Sequence, residues 1–242
     1  MASKQVNLTV IYDLNCPFCY IGQKDIFSAI DEVTKQYNTL HFQVEFRPYV
    51  LHPSIKPGQP QDRATYCTNA FGQERAAACR KKFLERSKDV GLEVKDGGIL
   101  VNTDRAHRLA YRAWKKGGQS LQQTVLSNLF HALIVDHKDI SNVEILSEIA
   151  KASCLMGKDE ATTYLNSDED VQAVEDQIEG VRKGGISGVP VLIIEGKWAI
   201  SGGQTRDVYL QVFKKLANCK AFINNTCSPE STAKALSAKI VV

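Results

Sequence analysis

The stretch that most constrains this chain is Val6 to Tyr20, VNLTVIYDLNCPFCY. A β-rich run, Val6-Asn7-Leu8-Thr9-Val10-Ile11-Tyr12, ends at Asp13-Leu14-Asn15, and Cys16-Pro17-Phe18-Cys19 follows at once. Behind it Ile21, Ile26, Ile30 and Val33 recur at helical spacing to about Tyr37. A strand that delivers a Cys-x-x-Cys to the first turn of a helix suits redox chemistry for a physical reason. Unpaired backbone N–H groups and the macrodipole at a helix start favour a thiolate on the first cysteine. Pro17 fits the first turn, where its missing N–H is not needed. Cys19 falls on the same helix face, so its sulfur can reach that of Cys16 and close a small disulfide. Cys16 is therefore the candidate nucleophile, expected to be exposed, and Cys19 the resolving thiol.

A zinc site would need a second Cys-x-x-Cys or a His pair at ligand spacing. The remaining cysteines, Cys67, Cys79, Cys154, Cys219 and Cys227, are scattered, and no metal is expected. Seven cysteines, an odd number in 242 residues, read as reduced thiols rather than a secreted disulfide framework. Cys219 and Cys227 are close enough in sequence to pair, although two unrelated tail thiols are the simpler reading. The N-terminus MASKQVNLTV has no apolar signal core, so a cytoplasmic location is expected if residue 1 is the native start. No apolar run approaches the ~20 residues of a membrane span. A net charge of +3, without an aromatic-interleaved basic stripe, gives no argument for nucleic acid.

Further along, Phe42-Gln43-Val44-Glu45-Phe46 alternates and predicts a second strand, after which Pro48 and Pro53 end regular structure. Lys56-Pro57-Gly58-Gln59-Pro60 is a turn-rich junction. From about Gln61 to Gly184 the signal is helical throughout. Leu109, Ala110, Ala113 and Trp114 form one apolar stripe, and Leu126, Leu129, Phe130 and Leu133 another. Ser141-Asn142-Val143-Glu144 reads as a capping box, and Ser167-Asp168-Glu169-Asp170 starts a helix carrying Val171, Val174, Ile178 and Val181. After Gly188-Val189-Pro190, Val191–Ile194 and Trp198–Ile200 flank the turn Glu195-Gly196-Lys197 as a β-hairpin. Ser201-Gly202-Gly203-Gln204 leads into a closing helix. The chain thus divides into a discontinuous core (residues 1–56 and 185–218), a helical insertion (57–184) and a peripheral tail (219–242).

This order resembles a thioredoxin fold carrying the helical insertion of the DsbA superfamily. It is most similar to the FrnE-like branch, near the kappa-class glutathione transferases and 2-hydroxychromene-2-carboxylate isomerases. The residues behind the resemblance are Cys16-Pro17-Phe18-Cys19-Tyr20-Ile21-Gly22, Arg47-Pro48 with His52-Pro53, and Asn102-Thr103 with Ala106-His107-Arg108-Leu109. Lys138-Asp139-Ile140-Ser141, Gly188-Val189-Pro190 and Ile200-Ser201-Gly202-Gly203-Gln204 complete it, over about residues 6–217. The implied fold class is α/β, a thioredoxin fold with an inserted all-helical subdomain.

The resemblance also implies that Pro190 is cis and faces the active cysteines, leaving the Val189 backbone to pair with an extended peptide or with glutathione. Pro17 and Phe18 lie where the Cys16 thiolate is tuned, and Phe18 offers neither charge nor proton. His107 carries a family-like match and is a candidate for ligand or acid–base work, with a structural histidine as the alternative. Arg47 could grip a carboxylate bidentately or simply form a surface ion pair. Gln204, at the start of the last helix, is a candidate for holding an anionic ligand or for capping. The first expected function is a thiol–disulfide oxidoreductase on a protein or small-molecule disulfide, with no tightly bound cofactor and glutathione as co-substrate. The second is a glutathione-dependent isomerase or transferase on a small unsaturated or electrophilic molecule. Those relatives usually carry serine where this chain has Cys16. A third is a binding or chaperone-like module without turnover. Kappa-class relatives are dimers, so a homodimer is expected by analogy alone.

Overall fold

The computed structural model describes residues 4–218. The tail, with Cys219 and Cys227, lies outside the described residues. Strand β1 (Lys4–Tyr12) runs parallel to β2 (Leu40–Pro48), with Lys4 opposite Leu40 and Tyr12 opposite Pro48. A parallel pair needs a crossover, and helix α1 (Pro17–Gln36) supplies it. Period-2 alternation sends Val6, Leu8, Val10 and Tyr12 into the main core, which also holds Ile26, Ala29, Ile30 and Val33 of α1.

The chain returns to this sheet only near its end, with the hairpin β5 (Val191–Ile194) and β6 (Trp198–Ser201). β5 lies antiparallel to β1, giving the order β2-β1-β5-β6, and α8 (Arg206–Asn218) packs beside α1. Between them lie α2 (Arg63–Phe71), α3 (Gln73–Asp89), α4 (Asp104–Phe130), α5 (Val143–Ala152), α6 (Lys158–Asn166) and α7 (Val171–Lys183). Ile11 points to the other face of the sheet, where it meets Val181 of α7 and Val191 in a smaller cluster.

The intervening segment is not wholly helical, which corrects the expectation of an all-helical insertion. Gln61–Asp62 and Ile99–Leu100 pair as a two-residue antiparallel ribbon, labelled β3 and β4, too short to leave an alternating pattern. Helix α4 is also interrupted, since Gly117 and Gly118 have non-helical dihedrals and Gly118 has φ 60°. A side chain at Gly117 would collide with Leu121, its Cβ coming within 2.7 Å of that Cβ. A π-helical turn, His131–Val135, closes α4. Asn142, not Ser141, caps α5 by accepting from the Glu144 N–H at 2.8 Å, and Asp170 rather than Ser167 precedes α7. Among the described residues no helix is long and apolar enough to cross a membrane.

The second half of α4 seals the open edge of β2. Gln122 accepts from the Phe46 N–H at 2.9 Å and donates to the Phe46 carbonyl at 2.9 Å, so its amide imitates a neighbouring strand. Gln119 accepts from the Val44 N–H at 2.8 Å. Gln122→Ala strands a buried donor and acceptor, and each costs about 1–3 kcal/mol. A thermal melt is expected to fall by roughly 2–4 °C per kcal/mol lost in a chain of this size. An unchanged melting temperature would show that water replaces the amide.

Candidate functional site

The site is built where β1 hands over to α1. The Cys16 N–H bonds to the Asp13 carbonyl at 3.0 Å, which turns the chain sharply, and Cys16 becomes the N-cap of α1 with φ −89° and ψ 107°. Its side chain makes no capping bond, so the sulfur is not spent on the helix. Pro17 occupies the first helical position. The Cys19 N–H bonds to the Cys16 carbonyl at 3.0 Å, and the two cysteines approach to 3.3 Å as free thiols.

Their surroundings differ. Burial pushes the Cys19 thiol well above its ordinary value, and a hydrogen bond to Cys16 together with the nearby charges of Cys16 and Asp13 adds to this. Cys19 therefore holds its proton. The Val189–Pro190 bond is cis, and the Cys16 thiol lies 3.6 Å from the Val189 carbonyl oxygen. The Pro190 carbonyl accepts from the Gly202 N–H at 2.9 Å, which draws residues 201–204 against the first turn of α1. A Cβ at Gly203 would stand 3.3 Å from the Phe18 Cβ, so this approach uses the missing side chain. Phe18 meets Phe83 of α3 edge to face, ring centres 6.1 Å apart.

Directly behind the cysteines is a buried polar network. Asp13 accepts from the Leu51 N–H (2.8 Å), the Thr103 hydroxyl (3.2 Å) and the Asn15 N–H (3.3 Å), while His107 Nε2 lies 3.4 Å from Asp13 Oδ1. Burial alone would raise the Asp13 carboxyl, but His107 and the Leu51 and Asn15 amides outweigh it and hold the group below its ordinary value. His107 Nδ1 faces the Tyr12 hydroxyl at 3.2 Å. Burial keeps Tyr12 a phenol, with the charges of Asp13 and Cys19 acting in the same direction.

The helical segment grips this turn from outside. The Asn15 amide donates to the Val101 carbonyl at 2.8 Å and accepts from the Val101 N–H at 3.1 Å. Arg63 donates to the Asn15 carbonyl at 2.8 Å and to the Ile99 carbonyl at 2.9 Å. Arg86 joins Asp25 of α1 at 2.7 Å and the Gln204 carbonyl at 3.4 Å, tying α3 to both halves of the core. Arg86→Met is expected to cost about 1.5–3 kcal/mol, the range for bonds to charged groups. Urea unfolding checks this, and a loss below 0.5 kcal/mol would class the pair with ordinary surface ion pairs.

Pro17 and Phe18, between the two cysteines, and Val189 and Pro190, which the resemblance placed opposite them, are thus gathered around Cys16 and Cys19. Cys16 itself keeps only 7% of its surface, a correction to the expectation of an exposed thiol. The cis turn lies against its sulfur, and Arg63 holds the Asn15 carbonyl just ahead of it. His107 is fully buried against Asp13 and Tyr12 and does not line an open cleft. Arg47 is exposed and spends its guanidinium on Glu45 at 2.9 Å. The Gln204 amide donates to the Ser201 carbonyl at 2.8 Å, a local turn bond. Sequence reasoning missed Asp13, Asn15, Arg63 and Thr103. The one available signal was the pair of polar residues, Asp13 and Asn15, interrupting an apolar run just ahead of a Cys-x-x-Cys.

This architecture is shared by solved proteins of low sequence identity. A probable DsbA oxidoreductase from Streptomyces coelicolor superposes with a TM-score of 0.77 at 19% identity, over 98% of this chain and 92% of the other. A 2-hydroxychromene-2-carboxylate isomerase gives 0.63 at 11% identity, over 92% and 100%. The cytosolic disulfide reductase DsbM from Pseudomonas aeruginosa, solved with glutathione, gives 0.57 at 18% identity, over 88% and 100%. No curated protein sequence matches. The family model for the DSBA-like thioredoxin domain matches residues 7–214, and the chain belongs to that family.

Proposed function

We propose that this protein is a thiol–disulfide oxidoreductase in which Cys16 attacks and Cys19 resolves. The observation that carries this reading is the contrast between two sulfurs held together at the start of α1. Cys16 sits at the helix cap beside the Val189 carbonyl, and Cys19 is kept protonated by burial. The Cys16 thiolate displaces one sulfur of a substrate disulfide, forming a mixed disulfide and releasing a thiolate. Cys19 then gives up its proton and attacks the Cys16 sulfur, which frees the second substrate thiol and leaves the Cys16–Cys19 disulfide. The substrate gains two electrons and two protons, and the enzyme dithiol loses them. Two glutathione molecules, acting as co-substrate, return the enzyme to the dithiol and leave as glutathione disulfide.

The Val189 backbone offers an extended thiol peptide a short strand partner beside the sulfur, with Pro17 and Phe18 flanking it. Glutathione or a glutathione mixed disulfide fits a Cys16 that keeps so little open surface. In this reading the protein works in the cytoplasm without a bound cofactor, and a homodimer remains the expectation by analogy. The DsbM likeness supports the reading, since that protein is a cytosolic disulfide reductase solved with glutathione.

The likeness to an isomerase motivates one competing reading, glutathione-dependent isomerisation or transfer on a small electrophile. Reduction of insulin and of a glutathione mixed disulfide is measured in parallel with glutathione-dependent conversion of unsaturated ketones and epoxides. The oxidoreductase reading expects the first activity, and its loss in Cys19→Ser. A silent Cys19→Ser variant alongside glutathione-dependent conversion in the second assay would replace it with the isomerase or transferase.

A further inference from the structure

We propose that α2 and α3 are the docking surface for a polypeptide substrate and hold the apolar residues that flank its disulfide-bonded cysteine. This rests on the reading of Cys16 as the attacking sulfur, and it names polypeptide disulfides as the substrate class.

The two helices are underpacked for their length. A short helix owes most of its stability to an apolar face laid against its neighbours. Ser87 is the one buried residue of α3, and α2 has none. Apolar side chains nevertheless recur at helical spacing, Tyr66, Cys67 and Phe71 on α2 and Ala76, Cys79 and Phe83 on α3. Four of these are half-buried and Cys79 is exposed. Phe71 keeps 50% of its surface, the one large apolar side chain so exposed among the described residues. Gly72, with φ 83° and ψ 154°, makes the corner that lets α3 pack back on α2.

Both rows start at the redox centre. Arg63, one and two turns ahead of Cys67 and Phe71, donates to the carbonyl of Asn15, the residue before Cys16. Phe83 meets Phe18, two residues after Cys16, edge to face. The helices thus touch the chain immediately on either side of the cysteine, so a substrate sulfur at Cys16 has both rows as neighbours.

Length then separates the substrates. Phe71 lies ~12 Å beyond Arg63 along α2, at ~1.5 Å per residue. An extended chain covers that distance in about four residues. Glutathione has a single residue on each side of its cysteine and stops short, whereas a polypeptide reaches the ring. Charge acts in the same direction. Neither row carries a carboxylate, and Arg75 lies over the Phe71 ring at 5.7 Å. Arg80, beside Cys79, is taken up by Asp96. An apolar strip with a positive border suits a segment whose acidic residues lie outside its apolar ones.

In the exchange, the Cys16 thiolate attacks the peptide sulfur of a peptide–glutathione mixed disulfide, and glutathione leaves as the thiolate. Cys19 gives up its proton and attacks the Cys16 sulfur, which releases the peptide thiol and leaves the Cys16–Cys19 disulfide. Two further glutathione molecules reduce that disulfide and leave as glutathione disulfide.

The test uses the full chain as wild type, Phe71→Ser and Phe71→Leu. Two peptides are supplied as glutathione mixed disulfides, one with leucines around its cysteine and a twin with serines there, both ending in glutamates. Wild type is expected to favour the leucine peptide about tenfold in kcat/KM, the scale of covering what Phe71 leaves open. Phe71→Ser is expected to bring the ratio near unity, and Phe71→Leu to keep most of it. Equal rates in wild type, or a preference that survives Phe71→Ser, overturn the proposal. So does a wild type that sediments as a dimer and a Phe71→Ser variant that sediments as a monomer, which gives the strip to a second copy. A wild type inert toward both mixed disulfides and toward glutathione disulfide removes the oxidoreductase reading instead. Fluorescence anisotropy with the leucine peptide carrying serine for cysteine then decides the docking surface. Weaker binding by Phe71→Ser sustains it, and equal binding overturns it.

Discussion

Cys16→Ser is expected to lower disulfide exchange to the uncatalysed background, whereas Cys19→Ser keeps the first step and stalls after it. The difference follows from position. Only Cys16 lies at the α1 cap within reach of the Val189 carbonyl, so without it no sulfur faces an incoming disulfide. Cys19 is buried and protonated, and contributes only once a mixed disulfide has formed. Turnover of a glutathione mixed disulfide, followed through glutathione release, separates the variants. Cys19→Ser should give one release per protein molecule and then stop, and Cys16→Ser none above background. A Cys16→Ser protein that keeps its full biological activity would instead make this a binding module.

Asp13→Ala is expected to give the largest loss of stability, about 1–3 kcal/mol for each buried donor it leaves without a partner. The carboxylate joins β1, the loop at Leu51 and α4, and its removal strands the Leu51 N–H, the Thr103 hydroxyl and His107 in a dry interior. The pH dependence has a definite sign. The folded-state value of Asp13 lies below 3.8, its ordinary one. Its contribution is therefore fully present above that unfolded value and is lost as pH falls through the lower, folded value. Urea unfolding from pH 7 down to pH 3 should show the gap between wild type and variant holding through the neutral range and closing only at the acid end. A gap that closes already near pH 6 would mean that the carboxylate is not the group that matters.

The parts of the fold legible in the sequence are those whose signals are local. Alternation in Val6–Tyr12, the proline after Cys16 and the recurrence of Ile26, Ile30 and Val33 place β1, the helix start and α1 within a residue or two. The hairpin at Glu195-Gly196 is equally local. What the sequence withheld are contacts across long separations. Asn15 and Val101 stand 86 residues apart, and Arg63 and Asn15 48 apart, so no spacing rule joins them. Cys16 and Val189 stand 173 apart, and this contact covers a thiol that the local pattern leaves open. His107 lies in the buried network behind the cysteines, against Asp13 and Tyr12. Arg47 shows the opposite error, a motif residue whose charge is absorbed by its near neighbour Glu45. Gly117-Gly118 was a readable break in α4, since at about 100° per residue the apolar stripes on either side of it fall on opposite sides of a continuous helix.

The most direct test of Cys16 as the attacking sulfur is to trap it. Reduced Cys19→Ser protein is mixed with glutathione disulfide at neutral pH and quenched, and the modified cysteine is located by peptide mass spectrometry. The account predicts a single glutathione adduct on Cys16, formed well before any on Cys67, Cys79 or Cys154. An adduct appearing first on one of those three, with Cys16 left unmodified, would contradict it.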